Sequence, residues 1–439
     1  MSIAVGERTQ RKITRRLMPF LLLLYITAYV DRINVSFAGL DMTKDLGFSN
    51  EVFGFGSGIF FLGYCLLEIP GAMLTEVWSA RRWISSIMVL WGVLAGLTGL
   101  IHNATEFSII RFMLGFAEGG FFPAIVVYLT HWYRNEERGR AIAMFMAAIP
   151  VSAMIGAPIS GLLLQLHWLH MPGWRWLLIL EGVPALVGGV VTLFYLPDWP
   201  KDARWLAPEE REWITRELDR EIRAKKESGH HHHSILASMR QPAVLACAVS
   251  YFMVNCSGYG LVIWLPKIVQ RFSGLDTLRL SLLVAIPYLV SVPAMVINGW
   301  HSDRTGERRW HAAFTALLGG IGLALSQVLG ASPALALAGL TVACIGIMAY
   351  YPALWAMPTQ LLSERSAAAS FGFINLIANF GGFVGPYAIG FLTDRTGTYA
   401  AGVYLLVGTS ALGAVVIALA PHRQVKMQRA AVSVAAQNS

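Results

Sequence analysis

Residues 17–40 read LMPFLLLLYITAYVDRINVSFAGL, an apolar run with Asp31 and Arg32 side by side and Asn34 just beyond. About 20 such residues suffice for one helix to cross a bilayer. A charge near the bilayer centre costs about 2.5–3.5 kcal/mol, so a charge held there implies a polar surrounding and a partner. An acid and a base in the first apolar segment therefore point to something charged that binds there or passes through. This favours a transporter over a membrane scaffold.

The pattern continues outward from that stretch. The chain is 55% hydrophobic and 14% charged. Twelve apolar runs follow one another, near 17–40, 52–74, 83–101, 107–130, 140–165, 175–196, 243–266, 279–300, 310–330, 333–355, 367–392 and 399–420. The first is too long for a cleavable signal and has no small-residue cleavage site. An all-α polytopic membrane protein with twelve transmembrane helices is expected. Lys and Arg gather in alternate loops: Arg8, Arg11, Lys12, Arg15 and Arg16 before the first run, then Arg81 and Arg82, Arg134, Arg138 and Arg140, Arg304, Arg308 and Arg309, and finally Arg423, Lys426 and Arg429. By the positive-inside rule both termini are cytoplasmic. The net charge of +8 is explained by this asymmetry, and no nucleic-acid partner is needed. Cys65, Cys247, Cys256 and Cys344 all fall in predicted spans without paired spacing, so neither a disulfide nor a metal site is expected.

Short motifs recur at a nearly fixed offset of 227 or 228 positions. Gly71 opens a segment ending in Arg81-Arg82, and Gly299 opens one ending in Arg308-Arg309. Glu137-Arg138 returns as Glu364-Arg365, and Gly156-Ala157-Pro158 as Gly385-Pro386. An internal repeat of this kind predicts two pseudo-symmetric six-helix bundles. The expected boundaries are 1–196, a cytoplasmic linker 197–242, and 243–439 with a short cytoplasmic tail. Transporters built this way place the substrate near the midplane and rock one half against the other. The linker is charged and opens a helix at Pro208-Glu209-Glu210. His230 to His233 within it lack a second ligand cluster and read as a solvated tract rather than a metal site.

On the first span Tyr25, Tyr29, Arg32 and Ser36 fall on one helical face. A guanidinium there can take a carboxylate through two parallel hydrogen bonds, which an ammonium cannot match. The alternative is a pairing of Arg32 with Asp31 or with another helix. Arg111 and Glu118 share a face of the fourth span, and either line a polar pocket or form an internal ion pair. Tyr251, Asn255 and Tyr259 on the seventh span, and Asn375 and Asn379 on the eleventh, offer the donors and acceptors a polyhydroxylated substrate needs, or alternatively bond helix to helix. Trp355 either walls such a site or simply packs. Asp31 and Glu118 are the expected carriers of coupling protons: a carboxyl in a low-dielectric site tends to its neutral form, and a neighbouring Arg draws it back. Glu68 and Glu181 read as structural.

These segments resemble the major facilitator superfamily. Gly299, Asp303, Arg304, Gly306, Arg308 and Arg309 fit its G-x-x-x-D-R-x-G-x-R-R loop signature without a gap. Arg111-x-x-x-Gly115-x-x-x-Gly119 is similar to its helix 4 motif, and Gly156-x-Pro158 to its helix 5 motif. The first-half loop departs, with Thr75 and Glu76 where Asp and Arg would stand and one extra residue before Arg81. That departure is common in the anion:cation symporter branch, which includes the tartrate, hexonate, glucarate and sialic-acid carriers. Tyr29-x-Asp31-Arg32-x-Asn34, Gly173-Trp174-Arg175-Trp176 with Glu181-Gly182, and Trp205-Leu206 with Glu209-Glu210 resemble the same branch.

The resemblance implies a carboxylate-binding role for Arg32, a titrating role for Glu118 and a substrate contact for Tyr64. Asp303, Arg304, Arg308 and Arg309 cannot reach a midplane substrate, and an ion-pair network locking the cytoplasmic ends is expected of them. The expected function is uptake of a small organic anion coupled to protons across a bacterial inner membrane, a hydroxy-carboxylate or sugar acid with a tartrate-like one favoured, and an aromatic carboxylate such as phthalate or hydroxyphenylacetate as the alternative. A functional monomer is expected, with no cofactor besides the coupling proton. No G-x-x-x-x-G-K-[ST] phosphate loop is present, which excludes ATP-driven transport on this chain. A membrane enzyme would need a catalytic constellation at one interface or a large external loop, and a sensor would need a signalling domain. The sequence offers neither.

Overall fold

Apolar segments of this length must satisfy every backbone N–H and C=O internally, and the helix is the open-chain structure that does so. The computed structural model describes the backbone of residues 2–146, 148–227, 239–361 and 364–421, and is helical almost throughout. In chain order the helices are α1 (Ser2–Asp45), α2 (Asn50–Val77), α3 (Ala80–Thr98), α4 (Ala104–Gly119), α5 (Phe121–Thr130), α6 (Asn135–Met146), α7 (Ala148–Leu163), α8 (Gly173–Tyr195), α9 (Pro208–Glu227), α10 (Pro242–Ser273), α11 (Thr277–Thr305), α12 (Arg309–Val328), α13 (Pro333–Leu361), α14 (Glu364–Thr396) and α15 (Ala400–Ala418). Among the described residues eleven segments are long and apolar enough to cross a membrane. α4 with α5, and α6 with α7, each make one of them, Ala104–Thr130 and Asn135–Leu163. The remaining expected span is α3, whose 19 residues open on Arg81 and Arg82 and so dilute its apolar character. The His230–His233 tract and Arg423, Lys426 and Arg429 lie outside the described residues.

By proximity the chain forms two compact units. The first comprises Met1–His231, Tyr259–Leu289 and Gly382–Gly402, the second His232–Gly258, Val290–Gly381 and Val403–Ser439. In the first unit α2 and α4 touch through backbone. A Cβ at Gly115 would lie 1.8 Å from the Phe60 carbonyl oxygen, and one at Gly119 would lie 2.2 Å from that of Tyr64. Small residues at this spacing let two membrane helices approach without a side chain between them. The approach sets Phe60 and Tyr64 of α2 against the helix that carries Arg111 and Glu118. Outside the spans, the arm of α1 is tied to α9: Glu210 takes Lys12 Nζ at 2.9 Å and Arg8 Nε at 3.1 Å.

In the second unit buried hydroxyls join neighbouring helices. Ser250 donates to the Gly413 carbonyl at 2.8 Å and Ser410 to that of Ala316 at 2.7 Å. The four cysteines are buried free thiols.

Candidate functional site

Arg32 is buried in the first unit, its side chain 9% exposed, and one amine of its guanidinium pairs with Glu118, which is 1% exposed. The partner is neither Asp31 nor a residue on the same helix, because α4 brings Glu118 to α1 from 86 positions away. The other amine donates to the Tyr259 hydroxyl at 3.3 Å. Aromatic faces complete the setting: the Arg32 guanidinium carbon lies 4.7 Å from the Tyr29 ring centroid, 5.1 Å from Tyr64 and 5.6 Å from Phe60. Tyr259 packs against Phe61 with ring centroids 4.2 Å apart and the planes tilted by 55°. Five of the expected residues, Tyr29, Arg32, Tyr64, Glu118 and Tyr259, therefore converge. Ser36 does not join them, since its hydroxyl donates to the Ile33 carbonyl at 2.6 Å.

Asp31 points elsewhere. Its carboxylate accepts from Trp91 Nε1 at 2.8 Å and from Asn34 Nδ2 at 3.0 Å. Arg111, 1% exposed, is its electrostatic neighbour without forming an ion pair with it among the described residues. Arg111 instead covers the Phe60 ring at 4.8 Å, the same ring that lies 5.6 Å from the Arg32 guanidinium carbon. Glu181 adds a third carboxyl to this cluster. It accepts from Ser160 Oγ at 3.1 Å, and the Asn34 amide is within its reach. The sequence reads Glu181 as structural, and Asn34, which bonds Asp31 and reaches Glu181, is the side chain that links the two carboxyls. Glu68 is buried on α2 and is an electrostatic neighbour of Tyr64.

The second unit gathers a separate set. Asn255 Nδ2 donates to the Ala378 carbonyl at 3.1 Å, and its Oδ1 accepts from Tyr351 at 3.3 Å. Trp355 packs edge-on against Tyr251 at 5.3 Å and tilted against Phe371 at 5.4 Å. Asn379 is buried and Asn375 half-buried on α14.

At the loop before α12, Asp303 pairs with Arg308 at 2.5 Å while remaining 70% exposed. The N-terminal end of α12 is held by Glu307 rather than Asp303: Trp310 N donates to one Glu307 oxygen at 2.7 Å and His311 N to the other at 3.2 Å. Arg309 reaches the Ala420 carbonyl at 3.3 Å, and Arg304 covers the Trp300 ring at 5.4 Å. Gly306 turns this loop with a φ of 70°, a conformation side chains resist. In the first-half loop, where Thr75 and Glu76 replace the acid–base pair, Asp198 arrives from beyond α8. It accepts from Ser79 Oγ at 2.8 Å and from Arg81 N at 2.9 Å.

What such a site can do is bind an anion. Among the described residues Arg32 is the one guanidinium held among three phenols with a titratable counter-ion, and any carboxylate that displaces Glu118 inherits the aromatic surround. Among the described residues no group of three or more metal-ligating side chains forms.

The chain resembles known proteins in sequence and in fold. The chain is 44% identical over 418 residues, 95% of its own length and 95% of the relative's, to a protein of Agrobacterium vitis named "Putative tartrate transporter". It is 36% identical over 397 residues, 90% of this chain and 91% of the relative, to a "Quinolone resistance transporter" of Acinetobacter baumannii. In fold it matches the inward-open structure of the xylose transporter XylE from E. coli with a TM-score of 0.74, at 16% identity, over 94% of this chain and 97% of that one. The family model for the Major Facilitator Superfamily matches residues 21–386, and the chain belongs to that superfamily, a multi-pass membrane protein of its transporters.

Proposed function

We propose that this transporter imports a small hydroxylated carboxylate, tartrate-like, together with protons, across a bacterial inner membrane with both termini on the cytoplasmic side. The observation that carries the proposal is the buried Arg32–Glu118 pair among Tyr29, Tyr64 and Tyr259. A buried guanidinium tolerates one counter-charge and is costly without any. With Glu118 ionised, Arg32 is already neutralised and a substrate carboxylate is not needed. When a proton neutralises Glu118, Arg32 needs a new anion, and the substrate supplies it. Proton and carboxylate then occupy the same state, and by reciprocity each strengthens the binding of the other.

Asp31, held by Trp91 and Asn34 beside Arg111, is the second carboxyl of the coupling machinery. Asn255, Tyr259, Trp355, Asn375 and Asn379 supply hydroxyl and shape recognition. The halves 1–196 and 243–439, joined by the linker 197–242, alternate the access of this site. Asp303, Arg304, Arg308 and Arg309 bias that alternation from the cytoplasmic side. Protons are the coupling species, no bound cofactor takes part, and one chain suffices. The similarity to the Agrobacterium vitis protein supports the choice of substrate class.

A second reading has its own observation. Four aromatic rings lie at or near Arg32, and one relative carries the name of a quinolone resistance transporter, so an aromatic carboxylate is the alternative cargo. Uptake of labelled tartrate into energised vesicles, with and without a protonophore, tests the coupling. A thermal-shift panel of hydroxy-acids and aromatic acids on purified protein separates the substrates, because a ligand of the folded state raises its melting point. Tartrate should stabilise and benzoate-type acids should not; the reverse order would favour the second reading.

A further inference from the structure

A second basic site lies in the first unit at the end of α1 remote from its basic N-terminal arm. A pocket of about 390 Å³ is lined there by Thr43, Lys44, Asn50, Lys267, Arg271 and Tyr399, among others. Lys267 is only 8% exposed, yet its Nζ meets no carboxylate: it donates to Thr43 Oγ1 at 3.0 Å and lies 4.4 Å from the Phe53 ring centroid and 5.4 Å from that of Trp264. Arg271 covers Tyr399 at 5.7 Å. Among the described residues none of Lys44, Lys267 and Arg271 belongs to an ion pair.

The acids nearby are committed to other donors. Asp394 accepts from Asn50 N, Asn50 Nδ2 and Glu51 N at 3.2, 2.8 and 2.7 Å. Asp45 accepts from Trp174 Nε1 at 3.0 Å, and Glu51 from the Tyr387 hydroxyl at 3.1 Å. Three cations thus share one pocket with no ion-pair partner among the described residues, Asp394 acting on Lys267 only as a more distant electrostatic neighbour, and the burial of Lys267 carries a desolvation cost. A lysine ammonium has three donors, and Thr43 uses one.

We propose that this pocket captures small carboxylate anions from the external solution and passes them toward Arg32. The proposal rests on the anion-import reading and its orientation, and adds a site remote from the transport site. A concave cluster of one charge sign raises the local concentration of its counter-ion and the rate of encounter, an effect that salt removes. Substrate carboxylate and lipid phosphate share the required chemistry. The Thr43, Asn50 and Tyr399 groups that line the pocket suit a hydroxylated solute, and the proposal commits to the solute.

The test uses the full chain in phosphatidylcholine nanodiscs, acetylating lysines with a sulfosuccinimidyl ester and reading Lys44 and Lys267 by mass spectrometry. Tartrate and succinate should slow their modification about three- to tenfold at low ionic strength, while the uncharged analogue threitol should not. Protection should vanish in Arg271→Gln and persist in Arg32→Ala. Indifference to both acids, or protection that disappears in Arg32→Ala, would overturn the site. So would protection by phosphatidylglycerol nanodiscs with tartrate inert.

In uptake, the exposed-face variant Lys44→Gln/Arg271→Gln should raise KM about three- to tenfold at low salt with maximal rate unchanged, and match wild type at high salt. Unchanged KM in a folded variant would also overturn it. Wild-type protein that takes up no tartrate would instead defeat the import reading, and the labelling result would still decide the pocket.

Discussion

Asp31 and Glu118 are both buried carboxylates of the first unit, yet their partners differ in kind. Glu118 holds a cation, Arg32, while Asp31 holds two neutral donors, Trp91 Nε1 and Asn34 Nδ2. A proton on Glu118 frees a guanidinium that can recruit an anion. A proton on Asp31 releases no cation from an ion pair and rearranges hydrogen bonds instead. In the proposed mechanism direct coupling of proton to substrate therefore belongs to Glu118, and Asp31 acts through Arg111 and the local field.

The largest effect should come from removing the shared cation. Arg32→Ala leaves Glu118 buried without a counter-charge, and losing one partner of a buried pair costs about 3–5 kcal/mol. Arg32→Lys keeps the charge but loses the planar fork, and tartrate binding should fall by about 30-fold or more in calorimetry. Wild-type binding by both variants would move the anchor to Arg111.

Asp31→Asn sharpens the contrast. The variant turns an amide toward two N–H donors and removes one of the two carboxylates, with Glu118, that favour the Arg111 charge, so it should lower the melting temperature as well as gradient-driven uptake. An unsatisfied buried donor costs about 1–3 kcal/mol. A variant as stable as wild type with normal accumulation would contradict the assignment of Asp31.

A smaller effect is expected at the loop before α12. The Asp303–Arg308 pair is largely exposed on the acid side, and exposed pairs are worth about 1 kcal/mol or less. Asp303→Asn should leave tartrate affinity within a few-fold and slow net transport by a factor of about five or less, measured in vesicles. Collapsed affinity with normal turnover would refute a gating role.

The smallest effect lies outside the spans. Burial works against the charge on Glu210, but the Ala207 N–H, Lys12 and Arg8 outweigh it and hold the carboxyl below its usual value. A depressed carboxyl stabilises the fold above its unfolded value of about 4.3, and that contribution is lost as pH falls through the lower folded value. Glu210→Gln should cost about 2–4 °C at neutral pH, with the difference from wild type closing in acid. A gap that persists unchanged into acid would show that the charge on Glu210 is not what stabilises the fold.

The spans were legible because lipid demands long apolar runs, and Asp31-Arg32 stood out because charge inside such a run is expensive. The pairing was not legible. Helical spacing puts Arg111 and Glu118 on one face of α4 but does not say which way that face turns; the backbone contact of Gly115 and Gly119 with α2 sets the rotation. The acid of the first-half loop was hidden for a similar reason, since Asp198 comes from 119 positions beyond Ser79. Lys267 was not legible as part of a span because the apolar run stops at residue 266, whereas α10 continues through Pro266 to Ser273 and holds the lysine buried.

The most direct measurement compares Glu118→Gln with wild type in proteoliposomes, once with a pH gradient and once in tartrate counterflow at equal pH. The glutamine imitates a permanently protonated carboxyl, so Arg32 stays free to bind anion while no proton can be released. Accumulation driven by the gradient should disappear, and exchange should continue at a rate near that of wild type. Normal acid-driven accumulation by Glu118→Gln would contradict coupling through the Arg32–Glu118 pair.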